Sequence, residues 1–437
     1  MQQEKNCFHA KRIKKKLNPV PNISQQSIDR HKYSDFMVSL SIELYLLLGC
    51  GMGKISVLLE FLNRRLHWGF EEIPCANSIG NWVKKSGYDV YKRTPEKSSE
   101  KRAAIIDESM MLGSEKMMLT LSIDAEKTGD QALRCCDVNV VDISVSDQWN
   151  STKIKRIFTE IEEKTQTKPL YVVSDNDTKL KKSIREMGYD HIPDIGHTLA
   201  LAVENVYKNE PDFKSFSSSL STVKIREVMR PASYLLPPRQ RTIARFMNLS
   251  ASIKWAIGVL KNYSKLTEEE QKVFGFVKTY QGLIYELHEI FTKVNTILKR
   301  IKNNGISKKE AKECIKILHT GSTKSVREQR IMELIRKYLQ ETSDKIVTEK
   351  SVWNASSDII ESIFGTYKFR KSKNPLHGIT TYIMLLPLLT KVNEDNKLTD
   401  VNCKQALETV FLRDLTDWKK KHLTENLAVK RQMKLAC

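Results

Sequence analysis

The sequence predicts an α/β domain built on a mixed sheet, interrupted by an all-helical insertion and preceded by a helical domain of the helix-turn-helix type. Three observations support this. Short β-rich runs alternate with helical patterns across residues 101–212, and residues 213–345 are helical and highly charged almost throughout. Before them, residues 36–85 have apolar residues at helical spacing, with glycines between the segments. The 437 residues allow two or three domains.

The charge of the chain favours a polyanionic partner. Lys and Arg number 72 against 52 Asp and Glu, a net charge of +20, and nucleic acid is the commonest cellular polyanion. No apolar run is long enough to span a membrane, so we expect no membrane partner. The 8 cysteines include no C-x-x-C pair, which argues against a zinc ribbon. We therefore expect reduced thiols in a cytoplasmic protein, associated with the nucleoid if the host is bacterial.

The sequence up to residue 100 predicts an arm and a DNA-binding unit. Residues 1–35 are basic at their start and predict a flexible arm, which either tracks phosphates or is simply solvated. Residues 36–100 predict three helices and a linker. A helix-turn-helix would place its last helix in the major groove, although small three-helix bundles without a DNA role are common. The polar side of that helix supplies the predicted DNA contacts, Asn81, Lys84 and Lys85.

The order of elements in residues 101–212 is that expected of a ribonuclease-H-like domain, a mixed sheet with helices on its faces. The predicted strands cover residues 103–106, 117–123, 138–145, 170–173 and 192–195, and the predicted helices cover residues 151–165, 177–187 and 198–207.

The rest of the chain predicts the insertion over residues 213–345, the final part of the core over 346–395, and a basic helical tail over 396–437. Within the insertion, Arg241 and Arg245 precede Trp255. This group could grip phosphates and stack on an unpaired base, while packing in a helical core is an equal alternative for the Trp255 ring.

Two acids follow predicted strands. Asp107 ends the first short apolar strand, and Asp175 follows the buried strand at residues 170–173. Functional groups gather at the carboxyl ends of buried strands, and a metal ion is a suitable partner for a buried carboxylate. Asp107 could instead face water in a turn. Asp177 is an alternative ligand, but it can serve as the N-cap of the next helix, so Asp175 is the better candidate.

The third acid, Glu361, lies on the predicted helix over residues 357–371, beside the buried face of that helix. A solvated helix Glu is the alternative. Three such carboxylates can hold two divalent ions, Mg²⁺ or Mn²⁺, for in-line displacement at phosphorus. Lys368, Arg370 and Lys371 follow on the same helix, where they would lie near phosphates or merely favour the helix dipole.

In these parts the chain resembles a known family. The strand ending in Asp107, the Val-Val-Ser-Asp turn with Asp175, and the Ile-Ile-Glu-Ser-Ile-Phe-Gly helix with Glu361 are similar to the signatures of insertion-sequence transposases of the DDE, ribonuclease-H-like superfamily. The resemblance covers roughly residues 37–390. A further likeness is Asp194-Ile195-Gly196-His197, which is similar to the C/D-x-x-H signature of hAT-like and several insertion-sequence transposases. The likeness implies that His197 lies near the site and touches DNA, and a structural role at the helix start is the alternative.

The resemblance implies an enzyme that binds the terminal repeats of its element, cleaves there with metal-activated water and joins the freed 3′ hydroxyl to target DNA. Asp107 and Asp175 would bridge the two ions, with Glu361 completing the shell. Holding both element ends implies a homodimer or larger synaptic assembly. Two other classes stay open at this point: a catalytically inactive, transposase-derived DNA-binding regulator, and a ribonuclease-H-like nuclease without strand transfer.

Overall fold

The structure is a computed structural model, and it describes residues 26–93, 101–112, 115–238, 249–320, 325–371, 374, 378–423 and 427–435. Its first part is helical, as predicted. The helices are α1 (Asp35–Leu46), α2 (Met52–Leu66) and α3 (Ala76–Lys92). Ser34 caps α1 by accepting a hydrogen bond from the Met37 amide, and His67, with a positive φ, ends α2. Of the arm predicted over residues 1–35, residues 1–25 lie outside the described residues. In residues 26–35, Ser27 and Ser34 form an isolated β-bridge and Ile28 is buried.

A mixed sheet of five strands forms the centre of the α/β part, which confirms the predicted fold class at that level. Its elements in chain order are β1 (Arg102–Leu112), β2 (Glu115–Asp124), β3 (Asn139–Ser146), α4 (Ser151–Thr165), β4 (Tyr171–Ser174), α5 (Thr178–Glu186), β5 (Asp190–Pro193) and α6 (Ile195–Tyr207). The spatial strand order is β3-β2-β1-β4-β5. Strands β1, β2 and β3 pair antiparallel, whereas β4 is parallel to both β1 and β5.

The two faces of the sheet are covered by different helices because strand side chains alternate between faces. Ala104, Ile106 and Val172 belong to a cluster with the apolar stripes of α4 and α5. Their neighbours Ile105 and Val173 belong to the larger cluster on the other face, which includes α6. Both faces of the central strands are therefore buried, as the continuous apolar runs indicate.

The predicted insertion is helical in its described residues. It contains α7 (Pro211–Glu227), α8 (Leu249–Lys261), α9 (Glu268–Phe274), α10 (Phe276–Thr279), α11 (Gln281–Asn304), α12 (Lys308–Leu318) and α13 (Val326–Asp344). Helices α11 and α13 pack on α6. The Tyr338 hydroxyl of α13 also donates to the Pro193 carbonyl at 2.9 Å, so the insertion is anchored at the end of β5.

The final part returns to the sheet and then to the first helices. It contains α14 (Asp358–Arg370), α15 (Leu385–Leu389), α16 (Cys403–Thr409), α17 (Leu412–His422) and α18 (Leu427–Leu435). Helix α14 packs on β1, and α15, α16 and α17 all pack on α3. No helix in the described parts of the chain combines the length and apolar character needed to cross a membrane.

Candidate active site

Asp107 lies inside a long strand, which corrects the prediction that it ends a short one. Strand β1 continues to Leu112, pairing with β2 along its length, with a bulge between Glu108 and Met110. In the parallel register, Ala104 lies opposite Val172 and Ile105 opposite Val173. Continued by two residues, this register places Asp107 level with Asp175, the first residue after β4. Adjacent strands lie about 4.8 Å apart, so the two acids are neighbours at the edge where β4 ends.

The Asp107 carboxylate is buried, and the residue is 8% exposed. Within the described ranges its side chain takes part in no hydrogen bond or ion pair, although the His197 charge acts on it. Burial raises its pKa to about 7, and the charges of Asp175 and Glu361 add to this effect, while His197 opposes it. A buried carboxylate without donors is costly, and a bound cation is one way to relieve that cost.

Asp175 and Asp177 have different roles in the turn after β4. Asp177 caps α5, since its Oδ1 accepts from the amides of Lys179 at 2.7 Å and Leu180 at 3.3 Å. Asp175 is half-buried, and its Oδ1 accepts from the Asp177 amide at 3.0 Å. Burial raises the pKa of Asp175, and the hydrogen bond from Asp177 opposes this. Asp177 is thus committed to the helix start, which leaves Asp175 as the candidate ligand.

Glu108, the neighbour of Asp107, is also occupied elsewhere. Its Oε1 lies 2.6 Å from the Lys116 ammonium of β2. Successive strand side chains point to opposite faces, so Glu108 is directed away from the side occupied by Asp107. Asp107 is therefore the acid of this pair that belongs to the candidate site.

Glu361 is exposed on the first turn of α14. The helix packs on β1, and the Glu361 charge contributes to the raised pKa of Asp107, so the two carboxylates interact electrostatically. Across the described residues, however, no three His, Cys, Asp or Glu side chains form a ready metal-binding group. That the three acids hold Mg²⁺ or Mn²⁺ stays a prediction, and it requires the Glu361 side chain to turn inward.

His197 lies beside the acids at the start of α6. The Asp194 side chain, at the N-cap, accepts from the His197 amide at 2.7 Å, and the same oxygen is 2.9 Å from the ring Nδ1. This hydrogen bond raises the pKa of His197 to about 9, against the opposing effect of burial. The His197 charge in turn lowers the pKa values of Asp107 and Asp175. His197 thus supplies positive charge next to the candidate ligands.

The polar face predicted for the third helix is partly covered by packing. Lys85 is only 8% exposed, and Lys84 and Asn81 are half-buried. The cause is tertiary packing, since α3 lies between the other amino-terminal helices and the carboxyl-terminal ones. A Cβ added at Gly87 would lie 1.8 Å from the Met384 carbonyl oxygen, which shows how closely the backbones approach. Helix α3 is therefore packed on several sides, and the DNA contacts predicted for its polar face stay predictions.

The exposed helix of this region is α2, which the sequence interpretation missed. Ile55 and Leu59 are buried, whereas the opposite side exposes Lys54, Val57, Phe61, Arg64 and Arg65. No ion pair involves these three cations in the described part of the chain, although the Arg65 guanidinium lies 5.6 Å from the Phe61 ring centroid. The sequence does not indicate that only Ile55 and Leu59 of this helix are buried, because Leu58 and Leu62 extend its apolar stripe.

The remaining predicted DNA contacts divide into three groups. Trp255 is partly buried, packs edge-on against Phe274 and donates its Nε1 proton to the Leu235 carbonyl at 2.8 Å. These contacts favour the core alternative, and the base-stacking alternative stays a prediction. Arg370 donates to the carbonyls of Tyr45 at 2.8 Å and Leu46 at 2.9 Å, the last residues of α1.

For the residues of the third group, contact with DNA stays a prediction. Lys368 is exposed and Lys371 is half-buried on or just after α14. Arg241 and Arg245 lie outside the described residues.

Comparison with known proteins identifies no family for the chain. No protein-family model matches it, and no curated protein matches its sequence significantly.

Proposed function

We propose that the protein is a DNA transposase that cleaves and joins strands with two divalent ions held by Asp107, Asp175 and Glu361. The observation that carries the proposal is the buried Asp107 carboxylate, level with Asp175 and beneath the Glu361 helix, with no hydrogen-bond donor on it among the described residues. Oxygen ligands of this kind fit Mg²⁺ or Mn²⁺. Bound there, two ions would stabilise the attacking and leaving oxygens of a displacement at phosphorus.

We assign the sheet and its helices to a ribonuclease-H-like fold. The support is the element order β1-β2-β3-α4-β4-α5-β5, together with a sheet whose first three strands are antiparallel and whose last two are parallel to β1. The helical insertion between β5 and the Glu361 helix agrees with the resemblance to hAT-like elements. Functional groups at the carboxyl end of β4 follow the general rule for open α/β sheets.

The proposed reaction has two displacements of the same type. In cleavage, a water oxygen bonds to the phosphorus at the element end, the P–O3′ bond breaks, and the 3′ oxygen leaves as a hydroxyl. In joining, that hydroxyl attacks a phosphorus of target DNA, loses its proton, and releases a target 3′ hydroxyl. Asp107 and Asp175 carry the negative charge that retains the cations, and His197 offers a positive group to a DNA phosphate.

We propose α2 as the main DNA-contacting element in place of α3. Its exposed side combines Lys54, Arg64 and Arg65 with the apolar Val57 and Phe61, and the chain carries a net charge of +20. Lysine and arginine contacts to phosphate account for most nonspecific affinity for DNA. Lys368, which follows Glu361 by two helical turns, is the second proposed phosphate contact. A homodimer or larger assembly would hold the two element ends.

The test uses full-length protein, labelled terminal DNA, target plasmid and Mg²⁺ or Mn²⁺. Asp175→Asn removes a negative ligand at nearly constant size, so DNA binding should survive while cleavage and joining fall by at least ~100-fold. Asp177→Asn is the matched control, because Asn caps a helix as well as Asp does. Full activity in Asp175→Asn overturns the assignment of Asp175.

The wild-type protein separates the other classes in the same assay. Specific binding of element ends without any cleavage would support a DNA-binding regulator. Cleavage without joined product would support a nuclease. Both outcomes would overturn the transposase proposal, and only the second would keep the metal site.

A further inference from the structure

Asp194 is a fully buried carboxylate whose two oxygens bind two different parts of the site. The residue is 0% exposed. Oδ1 accepts from the His197 amide and lies 2.9 Å from its Nδ1. Oδ2 accepts from the Ser357 amide at 2.8 Å and from the Ser357 hydroxyl at 3.1 Å. Oδ1 therefore serves His197 and Oδ2 serves Ser357, so neither oxygen can replace the other.

The backbone at Asp194 adds two further connections. The Asp194 amide donates to the Ser174 carbonyl at 2.7 Å, directly before Asp175. The next amide, of Ile195, donates to the Ala355 carbonyl at 2.9 Å. The start of the Glu361 helix is thus attached to the end of β5 by a backbone bond as well as by the carboxylate.

Ser357 occupies the N-cap position of α14, yet its side chain makes no capping bond to the helix. Its hydroxyl is directed to Asp194 instead. A residue that usually stabilises its own helix here holds that helix to another element, 163 residues away along the chain. The cap of α6 uses only Oδ1 of Asp194. The contacts of Oδ2 with Ser357 are therefore not needed for that cap.

We propose that Asp194 is a positioning residue of the metal site: it fixes the Glu361 helix and His197 relative to Asp175. The inference rests on the proposed function, because it needs the three acids to be metal ligands. Groups that orient metal ligands through hydrogen bonds commonly change metal affinity about 10–100-fold when replaced. Asp194 acts on Glu361 through Ser357 and touches neither the substrate nor the ions.

The substitution Asp194→Asn separates positioning from capping. Asn preserves size and N-capping ability, but one of its two terminal atoms is a donor NH2 group. With its oxygen accepting from the His197 amide, it can no longer accept from the Ser357 amide. Ser357→Ala is a milder second variant, which removes the hydroxyl contact and leaves the amide contact. Asp177→Asn is the control, because Asp177 lies beside Asp175 and its side chain caps α5 through the amides of Lys179 and Leu180.

The measurement is Mn²⁺ binding to metal-free, full-length protein by titration calorimetry, with thermal unfolding in EDTA as a check on folding. We expect Asp194→Asn to bind Mn²⁺ about 10–100-fold more weakly, Ser357→Ala to be weakened less, and Asp177→Asn to match wild type. A role in capping alone would leave Mn²⁺ affinity unchanged in both variants, because Asn keeps the cap of α6 and Ser357 makes no capping bond to α14.

The outcomes also separate this inference from the proposed function. Normal Mn²⁺ affinity in Asp194→Asn and Ser357→Ala, with binding by wild type, overturns the positioning role and leaves the metal site in place. Failure of the wild-type protein to bind Mn²⁺ overturns both. If Asp194→Asn does not fold, the affinity of Ser357→Ala decides: weaker binding than Asp177→Asn supports the inference, and equal binding overturns it.

Discussion

Replacing Asp107 with Asn should stabilise the metal-free protein at pH 8. Burial, with the nearby acids, raises the pKa of Asp107 to about 7, against about 3.9 for an Asp in an unfolded chain. The folded state therefore binds this proton more tightly than the unfolded state does. The contribution of Asp107 to the free energy of unfolding is therefore greatest at low pH, and it is lost as the pH rises from about 4 through about 7.

The difference between these pKa values corresponds to roughly 4 kcal/mol at pH 8. That figure is an upper bound, because the pKa of Asp175 is also raised and the charge of each acid affects the protonation of the other. Asn removes the charge and retains the size, so the variant should avoid most of this cost. Excess Mg²⁺ should stabilise wild type by mass action and stabilise Asp107→Asn much less.

The assay is urea unfolding at pH 5 and pH 8, in EDTA and in excess Mg²⁺, with Asp130→Asn as control. Asp130 is an exposed acid in the loop between β2 and β3. Apparent midpoints are compared, since a chain of this size need not unfold in one step. The reasoning is refuted if Asp107→Asn and wild type lose stability equally between pH 5 and pH 8, or if Mg²⁺ stabilises both alike.

Two further predictions concern the amino-terminal helices. Arg64→Ala with Arg65→Ala should weaken DNA binding and reduce the slope of log K against log salt by about 2, measured by fluorescence anisotropy; an unchanged slope would remove α2 from the interface. Gly87→Ala should lower the free energy of unfolding in urea by at least about 1–3 kcal/mol, because the added Cβ meets Met384. Gly258→Ala is the control, because its added Cβ meets nothing within 4 Å, and it should be neutral or up to about 1 kcal/mol more stable. Equal effects of the two alanines would contradict the close packing of α3.

Local signals predicted much of the fold. The helix predicted at residues 151–165 is α4 with the same bounds, since Asn150 caps it and its apolar residues keep a helical period. The other strands and helices of residues 101–212 lie within a few residues of their predicted positions, apart from the extension of β1. Apolar period and capping act over a few residues, so they are legible without knowledge of the tertiary structure.

The elements whose bounds the sequence predicts wrongly depend on contacts between residues that are distant in the chain. The sequence predicts that the linker follows residue 85, but Ser86 and Gly87 are buried in α3, which runs to Lys92 against the carboxyl-terminal segment. Strand β1 continues past Asp107 because β2 pairs with it there, across a bulge. Neither partner is visible from the local pattern, and tertiary packing overrides the turn propensity of Ser and Gly.

For the site, the sequence gives the residue types but not their connections. The capping role of Asp177 was foreseen from its position before a helix, and it favours Asp175 as the ligand. The D-x-x-H pattern drew attention to His197, yet nothing in it indicates that Asp194 also binds Ser357. That contact depends on how the insertion returns the chain to the end of β5, which short-range patterns do not encode.

The Glu361 helix is held at both ends, and this changes how DNA recognition should be tested. Its first turn is tied to Asp194 through Ser357, and Lys302 of the insertion pairs with Asp358. At its other end, Arg370 donates to the last carbonyls of α1. Deleting residues 37–85 would therefore free one end of α14 and expose the core around α3, so a loss of activity would not identify a DNA-binding unit. Substitutions on the exposed side of α2 leave these attachments intact, and a change in end recognition there would report on the DNA contact itself.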